Sequence, residues 1–389
     1  MNLKSELMRE LTEHIAPFWE KMKDIEQGGF YGYMDFDLRV DKTYEKGCIL
    51  NSRILWFFSN AYMLLNDKVL LDMADHAYYF MEKRCVDRKE GGIYWSVTYD
   101  GHPLDTTKHT YNQAFAIYAL SSYFRATGNA KALDQAMKLF DIIETKCIDR
   151  YGYLESFDRC FRLQSNDKLS ENGLMADKTM NTLLHVLEAY TELYLASPNP
   201  RVEKALHRIL LSFQKDIYSH KSGHLEVFFD EKLNSISDLY SYGHDIEASW
   251  LIDRAACVTG DEKLIATIGD FTQKLADEVY KHAYSNYSLN NECFKGQVDT
   301  TRVWWVQAEA MVGFYNCYEK TQNINYMLVV ENIWNYIKKY IIDKRPGSEW
   351  FWDVNETGQP KSQKPIVEPW KCPYHNGRMC MELIRRIKE

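Results

Sequence analysis

Three histidines, His185, His244 and His375, stand in polar settings inside otherwise apolar stretches: ADKTMNTLLH, YGHDIE and WKCPYHNGR. An imidazole has an unperturbed pKa of about 6.5, so it can both take and return a proton near neutrality. Other polar or aromatic groups fall at matching places. Arg53 lies in NSRILW, and Tyr111 and Gln113 lie in KHTYNQAF. Asp177 and Asn181 precede His185, and Glu247 follows His244 by one helical turn. Trp304, Trp305 and Glu309 lie in VWWVQAE, while Trp370 and Arg378 flank His375. Polar groups that converge with aromatics at a concave mouth form the usual starting hypothesis for a binding site. Glu247 shares a helical face with His244 and is expected to orient its ring through a ring N–H. The same types admit a metal reading, since three histidines and a carboxylate can hold zinc. No H-E-x-x-H occurs, and successive histidines are about 60 and 130 residues apart, so spacing lends that reading little. Any one histidine also fits a hydrogen-bonded core residue; three at one level of a repeat favour a site.

The elements that must position these groups repeat. A short run of aromatic and aliphatic residues, usually opened by glycine, recurs as GGFYGYM (28–34), GGIYWSV (91–97), YGYLESF (151–157), SGHLEVFF (222–229), NYSLNNECF (286–294) and PGSEWFWDV (346–354). Its copies tile the 389 residues at intervals of about 65. Between them the apolar period is helical, which predicts helices over 2–22, 47–65, 68–85, 108–127, 129–146, 175–196, 200–216, 242–259, 261–281, 301–319, 323–341 and 373–388. Asp67 and Asn129 read as caps, and Pro198, Pro200 and Gly260-Asp261 as breaks. Such a period is longer than the 33–47 residues or so usual for open helical solenoids. The expected fold is therefore all-α: a closed (α/α)6 barrel of about twelve helices in one domain, 1–389, with short hairpins in the long loops at one mouth. Even-numbered helices form the inner ring. Their starts carry every polar group named above.

Composition narrows the class. Nine prolines and 19 glycines are few for this length, whereas Trp, Tyr and Phe number 10, 27 and 18. That suits long helices and aromatic packing, and it rules out a disordered or low-complexity chain. The net charge is −8 with no Lys/Arg-dense run, which argues against a nucleic-acid partner. No apolar stretch is long enough for a membrane span, and the first twenty residues read as an amphipathic helix. Nine scattered cysteines with no C-x-x-C pair suggest reduced thiols in a cytoplasm. P-loop, Rossmann, nucleophile-elbow and EF-hand patterns are absent.

Over its whole length the chain resembles the N-acylglucosamine 2-epimerase superfamily, most closely its cellobiose 2-epimerases. The resemblance rests on NSRILWFFSNAY (51–62), DKTMNTLLHVLEAY (177–190), SYGHDIEASWL (241–251), VWWVQAEA (303–310) and WKCPYHNGR (370–378), in that order. It implies the same barrel and reversible inversion at C2 of the reducing-end glucose of a β-1,4-linked disaccharide, without a metal or nucleotide cofactor. It maps His185, His244 and His375 onto the family's active-site histidines. Arg53, Tyr111, Asp177, Asn181, Glu247, Glu309, Trp370 and one of Trp304 and Trp305 fall at positions used around the sugar. Family members often read H-S-R and N-T-H-L-H; here Asn51 and Leu183 stand where those patterns have histidine.

The residues themselves suit this chemistry. Inverting C2 requires ring opening, loss of the proton α to the C1 aldehyde, and reprotonation of a cis-enediol on the opposite face. His244 and His375 are the expected acid–base pair, with His185 at O1 or O5 and Arg53 stabilising the enediolate. Glu247 would orient His244, and Trp370 would stack on a sugar ring. Monosaccharide epimerisation or aldose–ketose isomerisation would pass through the same enediol. A glycoside hydrolase or lyase using Asp177, Glu247 or Glu309 is a further alternative, as is a sugar-binding or scaffold protein without turnover. A monomer is the expected state, with a homodimer open.

Overall fold

The computed structural model describes residues 2–169, 174–362 and 364–388. Among these, twelve helices alternate between two rings. Helix α1 spans 3–21 and includes a π-helical segment, Glu10–Ile15. Then come α2 (Cys48–Leu65), α3 (68–85), α4 (Thr110–Thr127), α5 (Ala130–Lys146) and α6 (Met180–Ala196). The second half holds α7 (200–217), α8 (Tyr242–Thr259), α9 (Glu262–His282), α10 (Trp304–Thr321), α11 (324–341) and α12 (Tyr374–Arg386).

Even-numbered helices pack on one another in sequence, and α12 packs back on α2, so the inner ring closes. These helices are buried nearly all round for three to four turns, as Cys48–Ala61 and Thr110–Tyr123 show. A helix apolar on every face must lie inside a two-layer structure. The odd-numbered helices bury a single stripe and give their other face to water; α7, for instance, buries Val202, Ala205, Leu206, Ile209 and Leu210. One continuous apolar cluster runs through both rings. The expected caps form: Asp67, Asn129 and Asp261 side chains accept from the first free backbone N–H groups of α3, α5 and α9, and Pro200 opens α7.

After each outer helix the chain doubles back on itself. Lys23 bridges Phe30, Val86 bridges Ile93, Ile148 bridges Tyr153, Tyr218 bridges Leu225, Tyr284 pairs with Leu289, and Ile342 bridges Trp350. These turns are the recurring motif. Gly28 and Gly29 take φ of +83° and +66° in the first turn. In the fifth, which lacks glycine, Asn286 and Tyr287 adopt +51° and +63° instead, a conformation asparagine tolerates and tyrosine accepts at a cost.

Short strands then stitch the ring. The residues just ahead of each inner helix pair with those following the next outer helix: 46–47 with 96–97, 108–109 with 156–157, 178–179 with 228–229, 239–241 with 292–294, and 302–303 with 353–354. Met34 bridges Val367 and closes the cycle. Ion pairs with buried lysines lock the approaches to four inner helices. Lys46 meets Asp24 at 2.6 Å, Lys108 meets Asp87 at 3.1 Å, Lys178 meets Asp149 at 2.9 Å, and Lys371 meets Glu349. Each ties the approach to an inner helix to the turn after the preceding outer one. Losing the acidic partner would strand a buried lysine charge. Helix α6 begins five residues later than its apolar period suggests, because Lys178 and Thr179 are spent on strand pairing. No described helix is long and apolar enough to cross a membrane. All nine cysteines are free.

Candidate active site

The stitching fixes the first turns of the inner helices at one mouth, and a cavity of about 250 Å³ opens there. His185 (α6), His244 (α8) and His375 (α12) all line it, with Arg53, Tyr111, Asn181, Glu247, Trp304, Trp305 and Trp370. The backbone of Trp370 accepts from Arg53 Nη1 at 3.5 Å, and the Tyr111 hydroxyl accepts from Arg53 Nη2 at 2.8 Å. The guanidinium lies 4.2 Å from the centre of the Phe115 ring. Trp305 touches two of the imidazoles, with ring centres 4.8 Å from His244 and 5.4 Å from His375; Trp304 packs on Trp352. Both tryptophans of the pair therefore face the cavity.

Each imidazole is held through Nδ1. His185 Nδ1 is 3.0 Å from Glu188 Oε2, His375 Nδ1 is 2.8 Å from Glu309 Oε1, and His244 Nδ1 is 2.7 Å from Ser241 Oγ. A carboxylate only accepts, so His185 and His375 carry their proton on Nδ1 and keep the Nε2 lone pair free. Burial lowers all three imidazoles: His244 to about 3, aided by the neighbouring His185, and His375 well below its ordinary value, aided by Arg378 and Arg53. All three are neutral at pH 7.

Beneath the cavity Arg378 binds the carboxylates of Glu188, Glu247 and Glu309 and the Tyr374 hydroxyl. Every member is buried. Burial alone would raise Glu188, but the Arg378 charge and hydrogen bonds from His185 and Tyr374 hold it well below the usual carboxylate range. Glu247 has no such surplus: burial and repulsion from Glu309 push it up to about 8. Glu309 is raised by burial and pulled back by Arg378 and by Trp250, whose Nε1–H lies 3.0 Å away.

Several expectations need correction. Glu247 does not orient His244; its Oε1 is drawn to Arg378, and His244 turns to Ser241. Glu309 and Arg378 do not reach the cavity; both are sealed below it, Glu309 holding His375 from behind. Asp177 is exposed, lies outside the helix on the approach to the 178–179 strand, and lines no part of the cavity. The two departures from the family pattern also lie elsewhere. Asn51 is buried and bonds Gly47 O and Phe30 N, and Leu183 borders a separate surface pocket. The sequence reading missed Glu188, Ser241, Trp250, Tyr374, Trp352 and Lys168. Only Glu188 had a readable signal, at three residues after His185.

Glu247, Glu309 and His375 also bring one possible ligand atom each within 4.8 Å of one another, a metal-like grouping among the described residues. Arg378 Nη2 already donates to both carboxylates there, so a second cation would sit against a fixed positive charge.

The fold and the site together define a helical-barrel enzyme with acid–base groups at the mouth of a closed double ring. Residues 29–376 match the family described as N-acylglucosamine 2-epimerase, and the chain belongs to that family of carbohydrate epimerases. A cellobiose 2-epimerase from Ruminococcus albus is 52% identical over 382 residues, covering 98% of each chain. Among solved structures, a sugar epimerase from a ruminal bacterium matches with a TM-score of 0.99 and 51% identity over 100% of both chains. The cellobiose 2-epimerase of Bacillus thermoamylovorans matches at 0.96 and 47% over 99% of both.

Proposed function

We infer that the chain inverts C2 of the reducing-end glucose of β-1,4-linked disaccharides, converting cellobiose to glucosyl-mannose and lactose to epilactose, reversibly. High identity over nearly the full length to cellobiose 2-epimerases supports the reaction and its substrate class. The structural observation that carries it is at the cavity wall. Arg53 Nε, Asn181 Oδ1, Glu247 Oε2 and Trp304 Nε1 are buried there without a hydrogen-bond partner. Such groups are rare in native interiors. A polyol, with hydroxyls that donate and accept, offers partners to side chains of this kind as they turn toward it, and the tryptophans would cover its C–H faces.

The roles follow from the hydrogen bonds. A free Nε2 makes His375 a base toward the C2 proton, and Glu309 stabilises the imidazolium that forms. His244 is the second acid–base group. Ser241 accepts or donates at its Nδ1, so this imidazole can switch tautomer without leaving a carboxylate. His185, fixed by Glu188, faces the oxygens that open the ring. Arg53 holds the enediolate, a contribution of several kcal/mol in a dry site. Glu247, kept protonated at neutral pH, presents a neutral carboxyl at the cavity wall and adds no negative charge beside Glu309.

A hydrolase would need two carboxyl groups about 5 to 9.5 Å apart across the scissile bond. Here Asp177 is outside the cavity and Glu309 is below it, which leaves Glu247 without a counterpart. A single domain, a monomer and a cytoplasmic setting complete the proposal; nine unpaired thiols fit the last.

Incubation with cellobiose in D2O is the test. Both epimers should carry deuterium at C2 with the disaccharide mass otherwise unchanged. Retention of the C2 hydrogen, or release of free glucose, would overturn the reading.

A further inference from the structure

One wall of the cavity comes from no helix. Lys168 and Leu169 line it, on the segment that leaves the short 163–164 strand. Lys168 Nζ lies 2.7 Å from Asp105 Oδ2 and 5.2 Å from the centre of the Trp95 ring. Trp95 in turn stands 5.8 Å from Trp370, a cavity residue. The Lys168 side chain is about one-third exposed, whereas His185 and His375 are 3% and 7% exposed, so Lys168 sits toward solvent from the reacting groups.

A buried device holds this segment in place. His109 Nδ1 accepts from the Tyr111 N–H at 3.3 Å, which puts the ring proton on Nε2, and Nε2 lies 3.0 Å from Asn166 Oδ1. The same Oδ1 accepts from Leu169 N–H at 3.3 Å, and Asn166 Nδ2 donates to Ala176 O at 3.2 Å. One amide thus joins both arms of the loop to the start of α4, whose Tyr111 lines the cavity. His109 is fully buried and pushed down to about 4, so at neutral pH it has one charge state and one tautomer.

We propose that Lys168 binds the second sugar unit, the one linked to the reacting ring, and that His109 and Asn166 are positioning residues that hold Lys168 over it. The inference rests on the disaccharide reading. A neutral pyranose presents an apolar face and a rim of oxygens. Trp370, beside Trp95, offers a surface for the first, and the two ammonium N–H groups not used by Asp105 can reach the second. Asp105 balances the lysine charge, so the wall favours a neutral sugar over an anionic one.

The test uses the full chain and cellobiose. Lys168→Ala, at a partly exposed position, should fold normally, raise KM about tenfold and leave kcat within about twofold. Asn166→Ala should raise KM similarly. The double variant should be no worse than the poorer single, because both remove one contact. Asn166→Asp keeps the acceptor for His109 and Leu169 but loses the donor to Ala176 O, so it should recover part of the affinity that Asn166→Ala loses. An unchanged KM in Lys168→Ala, multiplying penalties in the double variant, or no recovery with Asn166→Asp would overturn the proposal. A wild type that turns over no disaccharide would overturn the functional reading and this one with it. An active wild type with an indifferent Lys168→Ala would overturn this one alone.

Discussion

Arg378→Met puts the buried network to its severest trial. The guanidinium is fully buried and compensates Glu188, Glu247 and Glu309 at once. Removing it leaves carboxylates uncompensated in a dry interior, and breaking a buried ionic pair on one side costs about 3–5 kcal/mol. Unfolding entropy near 2.1 cal/mol/K per residue, over a chain of 389, converts this to a fall in Tm of about 4–6 °C. The deficit should depend on pH with a definite sign. Glu188 is depressed in the folded state, so its stabilisation exists above the unfolded carboxyl value of about 4.3 and is lost as pH falls through its lower folded value. The Arg378→Met substitution would abolish that stabilisation, and the orphaned carboxyls would resist ionising. The gap between wild type and variant should therefore widen from pH 4.5 to 7.5 or so and narrow toward acid. Arg378→Lys keeps the charge but cannot fork to three acceptors, and should fall between the two. Differential scanning calorimetry across pH reads all of this. A Tm within 1 °C or so of wild type, with only KM raised, would show that Arg378 is a substrate contact and that the network argument is wrong.

Three further outcomes follow from the same geometry. His375→Asn should lower the rate of C2 deuterium exchange by about 10²–10⁴-fold with an unchanged far-UV helical signal; exchange at the wild-type rate would remove His375 from the chemistry. Glu247 is protonated at neutral pH and ionises as pH passes about 8, so activity should decline on that alkaline limb. Glu247→Gln cannot ionise, and its profile should lose that limb, a persistent limb assigning the titration to another group. At Gly243 an added Cβ would lie 2.5 Å from Trp305 Cη2 and 2.7 Å from Val306 Cγ2. Gly243→Ala should therefore displace the indole between His244 and His375, lowering kcat/KM while Tm falls by only a few degrees for an overpacking cost of about 1–3 kcal/mol; unaltered kinetics would show that Trp305 has no positioning part.

The ring is legible because its signals are local and sixfold. Helical period, caps such as Asp67 and Asn129, and a turn motif with one or two residues of positive φ each lie within a few residues of chain. The strand stitches are not legible in the same way. Pairs such as Lys46–Val97 and Met34–Val367 span 51 and 333 positions, and two or three residues of strand leave no periodicity to read. The cost is small but specific: the apolar period starts α6 too early and carries Asp177 onto a helix it does not belong to.

The histidine supports show where spacing stops being informative. His185–Glu188 and His244–Glu247 have the same i, i+3 separation on equivalent inner helices, yet only the first pair is bonded. The difference lies in Arg378, which is one turn past His375 and more than a hundred residues from either glutamate. It binds both carboxylates, but Glu188 has a second oxygen for His185, while Glu247 gives Oε1 to the cation and leaves Oε2 unpaired at the cavity wall. The long-range cation thereby splits two locally identical pairs into a fixed carboxylate that sets a tautomer and a neutral acid that keeps its proton. Two groups of one residue type with pKa values pushed apart are what acid–base assignments rest on. Here that separation is a property of the closed ring, which carries the Arg378 side chain of α12 across to the carboxylates of α6 and α8, and not of either helix alone.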